Sequence, residues 1–363
     1  MSSFRAQGTA AQNLINYKVQ ITCMLQRKGQ TMKAIVYDTV GGPEVLKLKD
    51  VPIPEPKSDE VLIKVKACAL NRMDYYLRIE EDDEMPMPHI MGSDISGVIE
   101  EIREPSTTWQ VGDEVIVAPS IETSGSSRVR IVGYQTQGGY AQYVTVPVRN
   151  LIPKPKNLTF EEAASIPLVN VTAYHLLFTR GKLRPGEVVL VMGANSGIGS
   201  AAIQLCRAMG AYVISTARGD KKITRAREIG ADEVIDLDNG DWTGEVLRLT
   251  ENRGVDLVCE HFGGDYIKKC LEVVAPYGRI VTIGSTVGDE LNINISDLYR
   301  RQISILGSYM GDKQELSEVM KWFEWGRVRP VIARVFQLEE AAKAHMLLES
   351  RDFFGKIVLT IPD

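Results

Sequence analysis

The sequence predicts an α/β protein with two modules, a barrel-like β module followed by a doubly wound parallel sheet. Three observations support this prediction. The chain has 363 residues, more than one hydrophobic core usually organises. Short β-type runs separated by Gly, Pro and Asp fill the region from Met32 to about Pro153. After Asn157, apolar runs alternate with helical segments, as in a nucleotide-binding sheet.

The first module is predicted from its regularly spaced short strands. Their spacing is typical of a compact all-β barrel. The runs are "KAIVYD", "EVLIKVKA", "ISGVIEEI", "DEVIVA" and "YAQYVTVP".

Residues 1–31 stand apart because they contain no acidic residue and are rich in Gln. This composition would fit an organellar transit peptide. We expect instead a poorly packed extension upstream of a start at Met32, because "MKAIVYD" opens the first strand at once.

The second module begins with two predicted helices in "TFEEAASIPLVNVTAYHLLF", where Thr159 and Glu162 form a capping box. Connections long enough for crossovers follow each apolar run, which predicts a parallel sheet. The six runs are "EVVLVMG", "AYVISTA", "EVIDL", "VDLVCE", "RIVTIG" and "ISILGSY". After Gly311, two further helices and the strand "GKIVLTI" could extend this sheet or return to the first module.

Composition narrows the possible functions. A net charge of −5 with interspersed signs gives no basic face for nucleic acid and no polybasic membrane patch. No apolar run approaches the roughly 18 residues of a membrane span. The five scattered cysteines form neither a disulfide framework nor a structural zinc pair, so we expect a reducing cytoplasm.

A glycine-rich turn marks the predicted cofactor site. The first strand of the sheet runs into "GANSGIG" and then a helix, which supplies backbone without Cβ obstruction and free N–H groups at a helix N-terminus. A structural tight turn is the alternative. The predicted pyrophosphate contacts are Gly193, Asn195, Ser196, Gly197 and Ile198.

The second strand of the sheet ends in Arg218, where an NAD-specific site normally has Asp or Glu. The arginine fork suits a 2′-phosphate, which favours NADP(H) over NAD(H), with Lys222 as a further contact. Alternatively, Arg218 is only solvated or stacks on the adenine.

The order of these parts resembles the medium-chain dehydrogenase/reductase superfamily across residues 32–363. Matching stretches include "GSDISGVI", "VGDEVIV", "GGYAQYV", "GANSGIGSAAIQL" and "FGKIVLTIP". The resemblance implies a chaperonin-10-like β-barrel catalytic domain, residues 32–155 and 313–363, and a Rossmann nucleotide-binding domain, residues 156–312.

Many members of this superfamily bind a catalytic zinc, but the matching positions here lack its ligands. The family's ligand blocks fall on Asn71, on Ser93 and Asp94, and near Leu168. These side chains cannot build a four-coordinate catalytic zinc site. The usual four-cysteine zinc lobe falls on 119–139, which has no cysteine. We therefore expect no zinc. His89 is the one residue that could contradict this expectation by acting as a zinc ligand.

The resemblance implies a zinc-free branch, such as the quinone oxidoreductases and the enoyl- or acryloyl-coenzyme A reductases. Reduction of an activated carbon–carbon double bond or a quinone does not need a metal. Asn71 and Tyr76 are expected in the cleft, with Tyr76 or Tyr75 as hydrogen-bond donor or proton source. Alternatively, the tyrosines only pack at a helix start, and Asp74 only caps that helix.

The resemblance also implies further cofactor contacts and a homodimer or homotetramer joined through "QISILGSYM". The further contacts are Thr172, Phe262, Gly263, Gly284, Ser285, Gly307, Ser308 and Lys356. Two alternative functions stay open: an alcohol or aldehyde dehydrogenase of the same superfamily, and a non-catalytic NADPH-binding protein.

Overall fold

The computed structural model describes residues 29–103, 108–121 and 129–363. All but the last three residues of the expected extension at 1–31 lie outside this description. So does the part 122–128 of the segment expected in place of a zinc lobe.

The described part of the N-terminal module contains nine strands and one α-helix. Its alternating runs form strands because one set of side chains enters the core and the other meets solvent or a neighbouring element. In chain order the elements are β1 (Thr31–Val36), β2 (Lys47–Pro52), β3 (Glu60–Ala69), α1 (Arg72–Ile79), β4 (Asp94–Ile102), β5 (Glu114–Val117), β6 (Ser120–Ile121), β7 (Arg130–Ile131), β8 (Tyr143–Pro147) and β9 (Leu151–Pro153).

The second module contains all six predicted strands, with a helix between each consecutive pair. Thr159 and Glu162 form the predicted capping box: the Glu162 amide donates to Thr159 Oγ1 at 3.2 Å. The elements are α2 (Phe160–Ala164), α3 (Pro167–Tyr174), β10 (Val188–Val191), α4 (Gly197–Met209), β11 (Tyr212–Ala217), α5 (Asp220–Glu228), β12 (Glu233–Asp236), α6 (Trp242–Leu249), β13 (Val255–Glu260), α7 (Asp265–Val273), β14 (Val274–Thr282), α8 (Ile295–Arg301), β15 (Ser304–Gly307) and α9 (Lys313–Glu324).

The six strands form one parallel sheet in the order β12-β11-β10-β13-β14-β15. Alternate residues of β10 enter cores on opposite faces, Val189 and Val191 on one side and Leu190 on the other. Burial on both faces explains why these strands are continuous apolar runs. The doubly wound sheet and the barrel together confirm the predicted α/β fold class.

The C-terminal elements return to the barrel, which residue patterns alone had left open. They are β16 (Ile332–Gln337), α10 (Ala341–Ser350) and β17 (Lys356–Thr360). Strand β17 pairs antiparallel with β3, and β16 pairs parallel with β17. The barrel sheet has the order β16-β17-β3-β4-β5-β9, with β8 also paired to β3.

Helix α9 packs on the nucleotide-binding side rather than on the barrel. Its buried residues Leu316, Val319 and Phe323 share a core with Val189 and Val191 of the parallel sheet. We therefore propose that the domain division lies after α9 and not at residue 313.

Five strands lacked a clear signal in the sequence because they are short or largely exposed: β2, β6, β7, β9 and β16. The predicted helix through "AYHLLF" widens into a π-helical turn at His175–Arg180. No helix of the described part of the chain is long and apolar enough to cross a membrane.

Candidate active site

The glycine-rich turn leaves β10 and enters α4 with very little room. Gly193 has φ +68°, and a Cβ on Gly199 would lie 2.1 Å from the Gly193 carbonyl oxygen. Ser196 caps the helix by accepting from the Gly199 amide at 2.8 Å. The turn thus presents bare backbone at a helix N-terminus, a shape and polarity that fit a pyrophosphate.

Asn195 and Gly197 connect this turn to the segment that begins β17. The Asn195 carbonyl accepts from the Gly355 amide at 2.9 Å. A Cβ on Gly197 would lie 3.1 Å from Cδ of Lys356. Ile198 is half-buried and packs against the core of the parallel sheet. The turn therefore lies directly over the aliphatic stem of Lys356.

Lys356, Asn71 and Asp94 form a buried polar cluster where three barrel strands meet. The Lys356 ammonium donates to Asp94 Oδ2 at 2.8 Å and to Asn71 Oδ1 at 2.5 Å. Asn71 Nδ2 donates to the same Asp94 oxygen at 3.0 Å. The Lys356 side chain is 5% exposed and that of Asp94 is 0% exposed. The side-chain nitrogen and oxygen atoms of Asn71, the Lys356 ammonium and Asp94 Oδ2 are thus all hydrogen-bonded within the cluster, as buried polar atoms should be.

Strand register explains why distant residues meet in this cluster. Ala69 of β3 lies opposite Asp94 of β4 and opposite Val358 of β17. The end of β3 therefore places Asn71 beside the first residues of both neighbours. The other Asp94 oxygen accepts from the Leu168 amide at 2.7 Å, which brings in helix α3.

The cluster occupies the positions that carry zinc ligands in the family that the sequence resembles. A zinc ion does not fit here, because Asn71 Oδ1 and Asp94 Oδ2 already bind the Lys356 ammonium and Leu168 contributes only its backbone. Among the described residues, no three His, Cys, Asp or Glu side chains group as a metal site. His89 Nε2 lies 3.1 Å from the Gly133 carbonyl instead.

Tyr75 and Tyr76 lie on α1, immediately after Asn71. Their rings meet edge to face with centroids 5.4 Å apart, and the Arg72 guanidinium lies 4.3 Å and 5.5 Å from the two centroids. Both tyrosines are half-buried. The structure thus groups both rings with Arg72.

Arg218 lies at the end of β11, as predicted, but it has a protein partner. Its guanidinium pairs with Asp238 Oδ1 at 2.5 Å, with side chains 55% and 54% exposed. Lys222 donates to the Arg351 carbonyl at 3.0 Å and lies 3.5 Å from Asp352. A 2′-phosphate would have to compete with two carboxylates for these cations.

The remaining predicted contacts lie around the carboxyl edge of the parallel sheet, except Thr172. Thr172 is buried in α3, where its hydroxyl donates to the Leu168 carbonyl at 2.6 Å. A Cβ on Gly193 would lie 3.0 Å from the Phe262 ring, and one on Gly284 would lie 3.1 Å from the His261 carbonyl. Ser285 and Ser308 follow the ends of β14 and β15.

Asp74 is more than a helix cap. It accepts from the Asn71 amide at 2.7 Å and from the Tyr140 hydroxyl at 3.2 Å. Tyr140 lies 3.4 Å from His345 Nε2, and Arg78 Nε donates to His345 Nδ1 at 3.3 Å. Burial raises the pKa of Asp74 to about 7, while the Asn71 amide opposes this rise.

Asp74→Asn should change how stability depends on pH. Because the folded pKa exceeds the unfolded one, the folded wild type holds more protons between about pH 4 and 7. Its free energy of unfolding should therefore fall relative to the variant as pH rises through this window, by up to about 1.4 kcal/mol per unit. Urea unfolding at several pH values measures this difference.

Tyr140→Phe serves as the companion variant. It removes a hydrogen-bond donor that lowers the pKa of Asp74. The pH range in which the folded protein holds the extra proton should therefore extend to higher pH. A constant difference between wild type and Asp74→Asn from pH 4 to 8 would contradict the raised pKa.

Several residues of the site carried no recognisable signal in the sequence. The sequence offers Asp94 only as a metal-ligand position, because its pairing with Lys356 depends on a register between strands 262 residues apart. Tyr140 and His345 meet only after α10 packs on the barrel. His261 follows directly on β13, and a rule that inspects every residue after a parallel strand would have included it.

Two family models match the chain. The alcohol dehydrogenase GroES-like domain matches residues 57–156, and the zinc-binding dehydrogenase domain matches residues 197–325. Quinone oxidoreductase from Homo sapiens is 30% identical over 339 residues, 91% of this chain and 98% of that protein.

Solved structures of oxidoreductases also match the chain, and their descriptions name NAD in one case and NADP in another. A NAD-dependent alcohol dehydrogenase is 40% identical, with a TM-score of 0.88, covering 91% of this chain and 100% of that one. A crotonyl-CoA carboxylase/reductase in complex with NADP is 25% identical, with a TM-score of 0.84, covering 91% and 95%. The matches thus include relatives described with NAD and with NADP.

Proposed function

The chain belongs to the medium-chain dehydrogenase/reductase superfamily, in its quinone oxidoreductase-like branch, and on this premise we propose a zinc-independent NADPH-dependent reductase of activated C=C bonds or quinones. The coarser function, an oxidoreductase that binds a nicotinamide dinucleotide, follows from the family. The finer proposal rests chiefly on one observation, the buried Asn71–Asp94–Lys356 cluster.

The positive charge of the Lys356 ammonium in this cluster favours a reaction that needs no metal. Oxidation of an alcohol in the zinc enzymes relies on a metal that lowers the pKa of the hydroxyl. Here the side chains at those positions already bind an ammonium group. Reduction of an enone, an unsaturated thioester or a quinone needs no metal, because the carbonyl group delocalises the added negative charge.

In the proposed reaction, different residues of the chain would bind the cofactor, line the cleft and donate to the substrate. The reduced nicotinamide supplies a hydride when the cofactor is bound. The turn Gly193–Gly199 would hold the pyrophosphate, and Asn71 would line the cleft next to Lys356. The half-buried phenol of Tyr76 or Tyr75 would donate a hydrogen bond or a proton to the substrate carbonyl. The Arg72 guanidinium lies over both rings and holds these tyrosines in place on α1.

Arg218→Ala should reduce the affinity for NADPH about tenfold to hundredfold and leave the affinity for NADH nearly unchanged. The reason is that charge-assisted hydrogen bonds to a 2′-phosphate contribute roughly 1.5–3 kcal/mol. Asp238→Asn should strengthen NADPH binding, because it removes the carboxylate that occupies Arg218. Titration of NADPH and NADH by fluorescence measures both effects.

Arg225→Ala is a matched control, since Arg225 pairs with Glu228 at comparable exposure, 50% and 54%. It should leave both affinities unchanged. A preference for NADH that survives Arg218→Ala would refute the assignment of NADPH.

The substrate class is tested by NADPH oxidation with a panel of acceptors. Acryloyl- and crotonyl-coenzyme A, simple enones and quinones should be reduced, and aldehydes should not. Turnover of aldehydes alone would refute the alkene and quinone proposal. Metal analysis of the active protein should find less than one zinc per chain.

The second candidate is a NAD-dependent alcohol dehydrogenase. It is favoured by one observation, the carboxylate of Asp238 on Arg218, which would repel a 2′-phosphate. Alcohol-dependent reduction of NAD, with bound zinc, would select this candidate over the first.

We also propose a homo-oligomer in the cytoplasm. Strand β15 lies at the edge of the parallel sheet and pairs only with β14 among the described strands. An open strand edge can pair with a second copy of the same strand. Analytical ultracentrifugation would test this proposal, and a monomer at micromolar concentration would refute it.

A further inference from the structure

His261 lies at the topological switch point of the parallel sheet, where the order of the strands reverses. Strand β11 flanks β10 on one side and β13 flanks it on the other. Ligands of such sheets bind in the crevice outside the carboxyl ends of these strands. Val191 of β10 pairs with Cys259 of β13, so Gly193 and His261 lie two residues beyond the same rung.

The backbone around His261 is held by a buried carboxylate. Glu260 is fully buried, and its Oε1 accepts from the amides of Phe262 and Gly263, the latter at 2.9 Å. Its Oε2 accepts from the Thr282 hydroxyl at 2.8 Å. Gly263 adopts φ +78° directly after this turn. These contacts fix the direction in which the His261 side chain leaves the sheet.

The imidazole of His261 has an unused polar atom. Its Nδ1 is buried and has no hydrogen-bond partner among the residues that the structure describes. Burial lowers the pKa of His261 to about 4, so the ring is neutral near pH 7 and carries one N–H. A buried N–H without an acceptor is costly. We therefore assign the hydrogen to Nε2.

Nε2 faces the glycine-rich turn. A Cβ on Gly193 would lie 3.2 Å from both Nε2 and Cε1 of His261. The ring is further positioned by Phe262, with ring centroids 4.6 Å apart. A hydrogen-bond donor thus lies beside the backbone that the proposed function assigns to the pyrophosphate.

We propose that His261 Nε2–H donates a hydrogen bond to an oxygen in the nicotinamide-side half of the bound dinucleotide, its ribose or the adjoining phosphate. The inference rests on the proposed function, because it requires the cofactor to lie over Gly193. Arg218 marks the opposite, adenosine side, since it ends β11 beyond β10. The two halves of the cofactor therefore meet different residues.

This division allows a test with whole cofactor and fragment. The affinities of NADPH and of 2′,5′-ADP, which contains only the adenosine side, are measured by calorimetry on the full chain. His261→Leu should weaken NADPH binding about tenfold and leave 2′,5′-ADP binding unchanged. Arg218→Ala should weaken both.

His261→Gln provides the rescue variant, because its amide nitrogen can take the place of Nε2. It should bind NADPH within about threefold of the wild type, whereas His261→Asn, with a shorter side chain, should resemble His261→Leu. Near-UV circular dichroism of each variant checks that the fold is retained.

The outcomes separate this inference from the function on which it rests. A wild-type chain that binds neither NADPH nor NADH would refute the proposed function. Normal NADPH binding by folded His261→Leu would overturn only the role of His261. Equal weakening of NADPH and 2′,5′-ADP would also overturn it, because the contact would then not belong to the nicotinamide side.

Discussion

Lys356→Met is expected to lower the free energy of unfolding by about 3–5 kcal/mol, because it leaves the carboxylate of Asp94 buried without a charged partner. Methionine has a similar length and fills the same space, so the loss of volume is small. Asn71 and the Leu168 amide still donate to Asp94, but they carry no charge. Urea-induced unfolding measures the loss.

Two further variants make this prediction specific. Lys356→Met combined with Asp94→Asn should recover most of the stability, since no buried charge is then left unpaired. Lys343→Met breaks an exposed pair with Glu340 and should cost about 0–1 kcal/mol. Equal losses in Lys356→Met and Lys343→Met would mean that the buried ion pair does not exist in solution.

Gly199→Ala is expected to lower dinucleotide affinity about a hundredfold. Its Cβ would lie 2.1 Å from the Gly193 carbonyl oxygen, a backbone atom that cannot rotate away. The turn cannot easily move either, because Thr216 accepts from the amides of Gly193 and Ala194 at 2.9 Å and 2.8 Å. Distortion of a packed site by one methyl costs roughly 1–3 kcal/mol, which approaches a hundredfold in binding.

Gly186→Ala is the control for this substitution. Gly186 has φ +82° but no atom within 4 Å of an added Cβ, so alanine there meets backbone strain without a clash. It should cost about 1 kcal/mol of stability and leave NADPH affinity unchanged. Normal NADPH binding by Gly199→Ala would show that the cofactor does not depend on the geometry of this turn.

Local patterns predicted much of the fold because local forces decide those parts. The strand before Gly193 and the helix after Ser196 follow from apolar runs, a glycine turn and a cap, which neighbouring residues specify among themselves. The same holds for the capping box of Thr159 and Glu162. These features need no knowledge of distant parts of the chain.

The parts that escaped prediction depend on contacts between distant residues. The resemblance implies Lys356 as a cofactor contact, whereas in the structure its ammonium neutralises Asp94. No local pattern encodes the register of β3 against β17 that brings the two together. Arg218 was identified by its position after β11, but its partner Asp238 lies on the loop after the neighbouring strand β12. Electrostatic partners of this kind are visible only once the strands are placed.

The return of the chain to its first module has a consequence for synthesis. Strand β3 is made early, yet its end Ala67–Ala69 lacks a partner on one side until β17 has been translated. The carboxylate of Asp94 likewise has no ammonium partner until Lys356, 262 residues later in the chain, has been translated. A nascent chain on the ribosome can complete the parallel sheet first, while the barrel keeps an open edge and an uncompensated carboxylate. The buried cluster of Asn71, Asp94 and Lys356 therefore forms only after β17 has been translated.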